Sequence, residues 1–136
     1  MIVLAAVVIV AIAIAALRLQ ERPWFGGDAD GRPLAEVNVP LLDADALEGA
    51  TIYEANCKAC HGDNAAGRNG VAPPLVHSLY RQGHHADIAF WLAARDGVRS
   101  HHWLFGDMPP VAGITREQVD KIVVYIRALQ RTNGIE

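Results

Sequence analysis

Cys57-Lys58-Ala59-Cys60-His61 restricts this chain more than any other stretch of it. Two thiols three residues apart with an imidazole directly behind the second form the C-x-x-C-H pattern of covalent c-type haem attachment. The spacing has a chemical reason. On one turn of helix, side chains three residues apart point the same way. Cys57 and Cys60 can thus form thioethers to the two vinyl groups of one porphyrin while His61 reaches the iron from one face. Competing readings explain less. A disulfide leaves His61 without a role, and a structural zinc site needs four ligands where no second Cys-x-x-Cys exists. A thioredoxin-like redox pair wants a βαβ setting that the sequence does not show.

A haem closed on both faces needs a second axial ligand. Apart from Met1, Met108 is the only methionine, and it stands in Phe105-Gly106-Asp107-Met108-Pro109-Pro110. A lone methionine is ordinarily a flexible core filler. With a haem already required, a Met in a proline-bound loop downstream of the motif is the expected sixth ligand, because the prolines stiffen a loop that must hold a weak thioether against iron.

The 136 residues suffice for one small domain with a modest core. A formal charge of −3 and no basic stripe argue against a nucleic-acid partner. Both cysteines are used by the motif, so no disulfide framework is available. The haem itself supplies the missing apolar body, and the apo-protein is expected to be poorly folded.

Met1 to Leu17 carries no charged side chain and is rich in Ala, Ile and Val. At helical rise, about 17 residues span roughly 26 Å, the short end of a membrane crossing. A cleaved signal peptide is the rival, with Ala11-Ile12-Ala13 or Ala13-Ile14-Ala15 as its site, but no basic residue precedes the apolar run. An uncleaved anchor over residues 1–18 is favoured. Trp24, Arg18 and Arg22 behind it suit a membrane boundary, although arginines on the outer side run against the usual charge rule.

Residues 19–42 read as a linker, with turn signals at Gly26-Gly27-Asp28, Asp30-Gly31-Arg32-Pro33 and Pro40 and no sustained helical period. A solvated tether is expected, leaving 43–136 as the haem domain. Asp45-Ala46-Leu47-Glu48 reads as a capping box opening a helix that runs to about Asn56 and carries Gly49 and Tyr53 on one face. A polar, glycine-rich loop follows the motif. In Val71-Ala72-Pro73-Pro74-Leu75 a proline carbonyl can accept the second ring N–H of His61, with Pro73 the choice and Pro74 beside it; a plain polyproline turn is the alternative. A helix is expected from Asp87 to about Arg95, with Ile88, Trp91 and Leu92 buried and Gly97 as its stop. The last helix begins at the capping box Thr115-Arg116-Glu117-Gln118 and buries Val119, Ile122, Val123, Ile126 and Leu129. It should carry Tyr125 against the first helix, with Arg127 and Arg131 suiting the dipole of its final turns.

Gly49 and Tyr53 on a first helix, Cys57-x-x-Cys60-His61, Pro73 to Leu75, Met108-Pro109 and an aromatic residue on a terminal helix together resemble the class I, mono-haem cytochrome c family over about residues 43–133. The resemblance implies an all-α fold of three to five helices around one covalent haem c. It further implies His61 and Met108 as axial ligands, with Tyr53, Pro73, Pro74 and Trp103 around them. The implied activity is electron transfer rather than enzymatic catalysis. Together with the N-terminal helix, the protein is similar to bacterial tethered cytochromes, single-pass in the cytoplasmic membrane with the haem domain in the periplasm. Its redox partners would then be of the kind of a quinol-oxidising complex and a terminal oxidase. Lys58 and Lys121 are the only lysines, so the family's lysine docking ring is not reproduced.

His84-His85 and His101-His102 exceed what that resemblance requires. Four imidazoles in two pairs suit a borderline metal such as copper or zinc. Contacts to haem propionates or plain exposed loop positions are the other readings. Three alternative functions stay open on the sequence. One is a haem enzyme or gas sensor whose distal ligand leaves the iron. Another is a copper-handling accessory cytochrome, and the third is the haem subunit of a larger membrane complex with the anchor as its docking helix.

Overall fold

The computed structural model describes residues 29–136. Among them the chain forms four α-helices and two 3-10 turns, with no strand beyond two isolated bridges. The helices are α1 (Ala44–Asn56), α2 (Lys58–His61), α3 (Asp87–Asp96) and α4 (Arg116–Thr132). No helix among these residues is long and apolar enough to cross a membrane, and the expected anchor at 1–18 lies outside the described residues.

The fold is organised by α1 crossing α4. A Cβ on Gly49 would lie 2.0 Å from the Lys121 carbonyl oxygen, so only glycine lets the two backbones approach this closely. One turn on, Tyr53 and Tyr125 meet with ring centroids 5.5 Å apart, a favourable tilted aromatic contact. Ile122, Ile126 and Leu129 of α4 join Tyr53, Leu75 and Val76 in the main core. The helical period of α4 read from the sequence is the one observed, and its capping box is present in both directions.

The start of α1 differs from the sequence reading. Asp43, not Asp45, is the N-cap and accepts the Ala46 amide at 2.9 Å. Asp45 and Glu48 instead reach Lys121 of α4 at 2.6 and 3.1 Å. Both aspartates have capping chemistry, and the lysine brought near by packing decides between them.

On α3 the expected buried face holds at Trp91 but not at Ile88 or Leu92. Ile88 and Leu92 are exposed, whereas Ala94, Phe90 and Trp91 pack with Val119 and Val123 of α4. Gly97, at φ +78°, ends α3 as expected.

Residues 29–42 do not form a free tether. Leu34 and Ala35 amides both donate to the Ala66 carbonyl at 3.0 Å, Asn69 donates to Arg32, and the Asn133 side chain bonds Asn38 in both directions. Asp30 is occupied by Arg32 and Asn69.

Arg127 departs furthest from its expected place at a helix end. Its guanidinium is buried and donates to the Tyr80 and His85 carbonyls, Gln130 and Asp87. Gln130 in turn donates to the Leu75 and Tyr80 carbonyls. Loop carbonyls that no helix or strand satisfies must be paired when buried, and these two side chains pair them.

Candidate haem site

Cys57 closes α1, its amide donating to the Tyr53 carbonyl at 2.8 Å. Its own carbonyl then accepts the amides of both Cys60 and His61, at 3.1 and 2.9 Å. The second cysteine and the histidine therefore hang from one backbone oxygen, on a single turn of helix. Cys57 is half-buried and Cys60 exposed, and neither is in a disulfide. Burial, with the Cys60 charge adding to it, pushes the Cys57 thiol up to about 11.

His61 is buried beneath this turn. Its Nδ1 lies 2.9 Å from the Pro73 carbonyl oxygen. A carbonyl can only accept, so Nδ1 carries the proton and Nε2 keeps its lone pair. Burial holds the ring below the usual histidine range and so keeps it neutral and fit to ligate, while the Pro73 bond pulls weakly the other way and fixes the tautomer. The Gly67 amide closes the intervening loop on the His61 carbonyl at 2.7 Å, and Pro74 is fully buried beside Gly67. From the other side the Tyr53 hydroxyl donates to the Gly62 carbonyl at 2.8 Å.

Met108 is set by different means. Its amide and carbonyl pair with the carbonyl and amide of Val98, each at 2.9 Å. Gly97 is required there, because a Cβ would lie 2.6 Å from the Met108 oxygen. The Val111 amide donates to the Ala94 carbonyl at 2.8 Å, fastening the loop's far end to α3. Inside the loop, Asp107 accepts the Ser100 amide at 2.8 Å and the Ser100 hydroxyl bonds the Trp103 carbonyl.

Trp103 lies between His77, edge-on at 5.3 Å, and Phe105, stacked at 5.7 Å. His77 also caps the turn Ser78–Tyr80 by accepting the Leu79 amide, a structural task. The Trp103 indole N–H is buried and, although the Tyr80 hydroxyl is near enough to feel it, makes no hydrogen bond of normal geometry among the described residues. A buried donor without an acceptor is costly, and the carboxylate of a haem propionate is the acceptor it suits. Two neighbouring cysteines outside any disulfide, an oriented neutral imidazole and this buried donor together fit a haem.

The two histidine pairs, far apart in sequence, come together: His84 and His85 approach His102 with ring centroids at 5.6 and 5.7 Å. Two features of the surroundings escaped sequence reasoning. One is Asn64, left-handed at φ 51°, whose side-chain oxygen accepts from the Tyr125 hydroxyl at 3.3 Å. The other is the Arg127–Gln130 pair, whose only signal was a charge and an amide set within an otherwise apolar helical stripe.

The sequence model of the cytochrome c family matches residues 46–130. The chain is 33% identical over 124 residues to the cbb3-type cytochrome c oxidase subunit CcoP of Cereibacter sphaeroides, covering 82% of this chain and 40% of that protein. It is 43% identical over 56 residues to the CcoP subunit of Azospirillum brasilense, 37% of this chain and 19% of that one. It is 29% identical over 91 residues to cytochrome c-554(547) of Halothiobacillus neapolitanus, 63% of this chain and 98% of that protein. The chain thus spans less than half of the oxidase subunits but nearly all of the small cytochrome. No solved structure matches it significantly. With both motif cysteines outside any disulfide and the imidazole already oriented, a match running from α1 into α4 identifies the chain as a member of the class I, mono-haem cytochrome c family, holding one covalent haem c at Cys57 and Cys60.

Proposed function

We propose that this cytochrome is a closed single-electron carrier whose iron is held by His61 and Met108. Residues 1–18 tether it to the bacterial cytoplasmic membrane, with the haem domain on the periplasmic face. When bound, the haem supplies an iron that changes oxidation state by one electron while both axial ligands stay in place. The chain's own task is to hold those ligands, exclude water and present a haem edge to partners.

The observation that carries this reading is the paired backbone bonding of Met108 to Val98. A thioether binds iron weakly, so its residence depends on how firmly the chain holds it. Both backbone groups of Met108 are bonded, and Pro109 and Pro110 follow at once, which suits a retained ligand rather than one that leaves to admit a substrate. Met/His ligation also raises the potential, as a donor to a high-potential acceptor needs.

A terminal oxidase is the favoured acceptor and a quinol-oxidising complex the favoured donor. Two relatives are oxidase subunits, which supports either a shuttle to such an enzyme or a haem subunit of one. Docking does not use a lysine ring: Lys58 is paired with Asp63 at 2.7 Å and Lys121 with Asp45 and Glu48.

The test is spectroscopic. The ferric protein should show a sulfur-to-iron charge-transfer band in the near infrared, and the ferrous protein should bind carbon monoxide poorly. A high-spin ferric signal with avid carbon monoxide binding would replace the carrier with a sensor or enzyme. Membrane extraction in mild detergent, followed by intact mass, tests the tether and reveals any stable oxidase partner.

A further inference from the structure

Of the six histidines, His61 belongs to the haem motif and His77 caps a turn. The remaining four form one cluster from two loops. His84 and His85 sit on a turn in which both their amides donate to the Arg81 carbonyl, at 3.0 and 2.8 Å. The His85 carbonyl is pinned from below by Arg127 at 2.7 Å. His101 and His102 lie in the loop closed by the Val98–Met108 bridge.

One nitrogen from each of His85, His101 and His102 falls within 4.8 Å of the other two. Their tautomers are also suited to ligation. His85 Nδ1 lies 2.6 Å from the Leu79 carbonyl oxygen, and His101 Nδ1 lies 2.9 Å from that of Arg99. Because carbonyls only accept, both rings carry their proton on Nδ1 and leave the Nε2 lone pair free. An imidazole whose other nitrogen donates to a backbone carbonyl is the usual second-shell arrangement of a metal-bound histidine.

We propose that His85, His101 and His102 form a site for one borderline divalent transition-metal ion, zinc(II) or copper(II), separate from the haem iron. Three neutral nitrogen donors select this class over hard, oxygen-seeking magnesium or calcium. Three imidazoles with an open fourth position are a known zinc arrangement. The fourth position is left to water or to His84, whose ring contacts both His85 and His102 at 4.9 and 5.6 Å. Tetrahedral ligation with nitrogen at about 2.0–2.1 Å sets the donors about 3.3 Å apart. The cluster must therefore close by no more than about 1.5 Å, which rotation of the exposed His101 and His102 side chains supplies.

The site joins the loop that carries Met108 to the turn held by Arg127. An ion bound there would brace the distal loop against the body of the protein.

The full-length, haem-loaded protein in detergent, titrated with zinc(II) in a calorimeter, tests this. One zinc per haem is expected, released by a chelator. His101→Ala with His102→Ala should weaken uptake at least ~100-fold, since loss of an outer-shell partner alone costs about 10–100-fold. His85→Ala should do the same. An unchanged haem spectrum checks the fold of each variant, and Asn or Gln at the same positions serves where Ala disturbs it. No zinc uptake by the native protein overturns the proposal, as does uptake that both the double variant and His85→Ala retain. A haem potential that moves in the variants, without any zinc binding in the parent, reassigns the histidines to the propionates and overturns it equally.

Discussion

The two halves of the proposed haem site are built on opposite plans. The half carrying His61 is a contiguous stretch in which each functional group hangs on the backbone of a near neighbour: Cys60 and His61 on the Cys57 carbonyl, Gly67 on the His61 carbonyl, and His61 on Pro73. The half carrying Met108 is an irregular loop whose register comes from pairing with Val98 and from one bond to α3. Its residues 101–107 are largely exposed, Leu104 at 85%. The difference teaches where weak and strong bonds to the cofactor can be afforded. Covalent thioethers and a buried imidazole tolerate little motion and are set in helix. In the proposed ligation the Met108 thioether is the weaker bond, and its exposed loop is held instead by the two Val98 bonds and the Val111 bond to α3.

Four experiments would break or sharpen that contrast, in falling order of effect. Replacing both Cys57 and Cys60 with Ala should abolish the covalent adduct, so that intact mass lacks haem and the helical circular dichroism signal falls with it. Retention of a stable, fully helical apo-protein would show that the first half does not depend on its cofactor. Met108→Ala should leave the haem attached while the ferric spectrum turns high-spin, the reduction potential falls and carbon monoxide binds readily. If the spectrum stays low-spin, another side chain holds the iron.

Gly97→Ala tests the hinge of the looser half. A Cβ there meets the Met108 carbonyl, and φ +78° is strained for alanine. A loss of about 2 kcal/mol is expected from backbone strain and crowding. The near-infrared band should weaken while the mass of the haem adduct stays the same. A matching loss of haem attachment would mean that the two halves are not separable. The smallest effect is expected from Trp103→Phe. If the buried indole N–H serves a haem propionate, its removal should shift the potential modestly downward with little change in thermal stability. An unchanged potential would leave Trp103 a packing residue only.

Much of this was legible without coordinates because it is local. The cysteine–histidine motif, the capping box at Thr115 and the apolar stripe from Val119 to Leu129 depend only on spacing along a helix, and the structure follows them. Gly49 and Tyr53 could be assigned to one face of α1 for the same reason. What the sequence could not decide was competition between equivalent local solutions. Asp43 and Asp45 can each cap α1, and Lys121, seventy-odd residues downstream, draws Asp45 away. Trp91 is covered as its spacing implied, but Ile88 and Leu92 are as apolar as Phe90, and only the position of α4 settles that Phe90 is covered and they are not.

The long-range polar pairings belong wholly to the tertiary structure. Arg127 at a helix end reads as a dipole partner, yet buried carbonyls of the 75–85 loop needed donors and it supplied them. Two histidine pairs become one cluster because α4 pins one loop and the Val98–Met108 bridge closes the other. Period and motif are properties of neighbours on a chain, and so sequence alone determined the haem's attachment and the helices that flank it. Burial and pairing are properties of neighbours in space, and so only the fold decided how the loops meet around it.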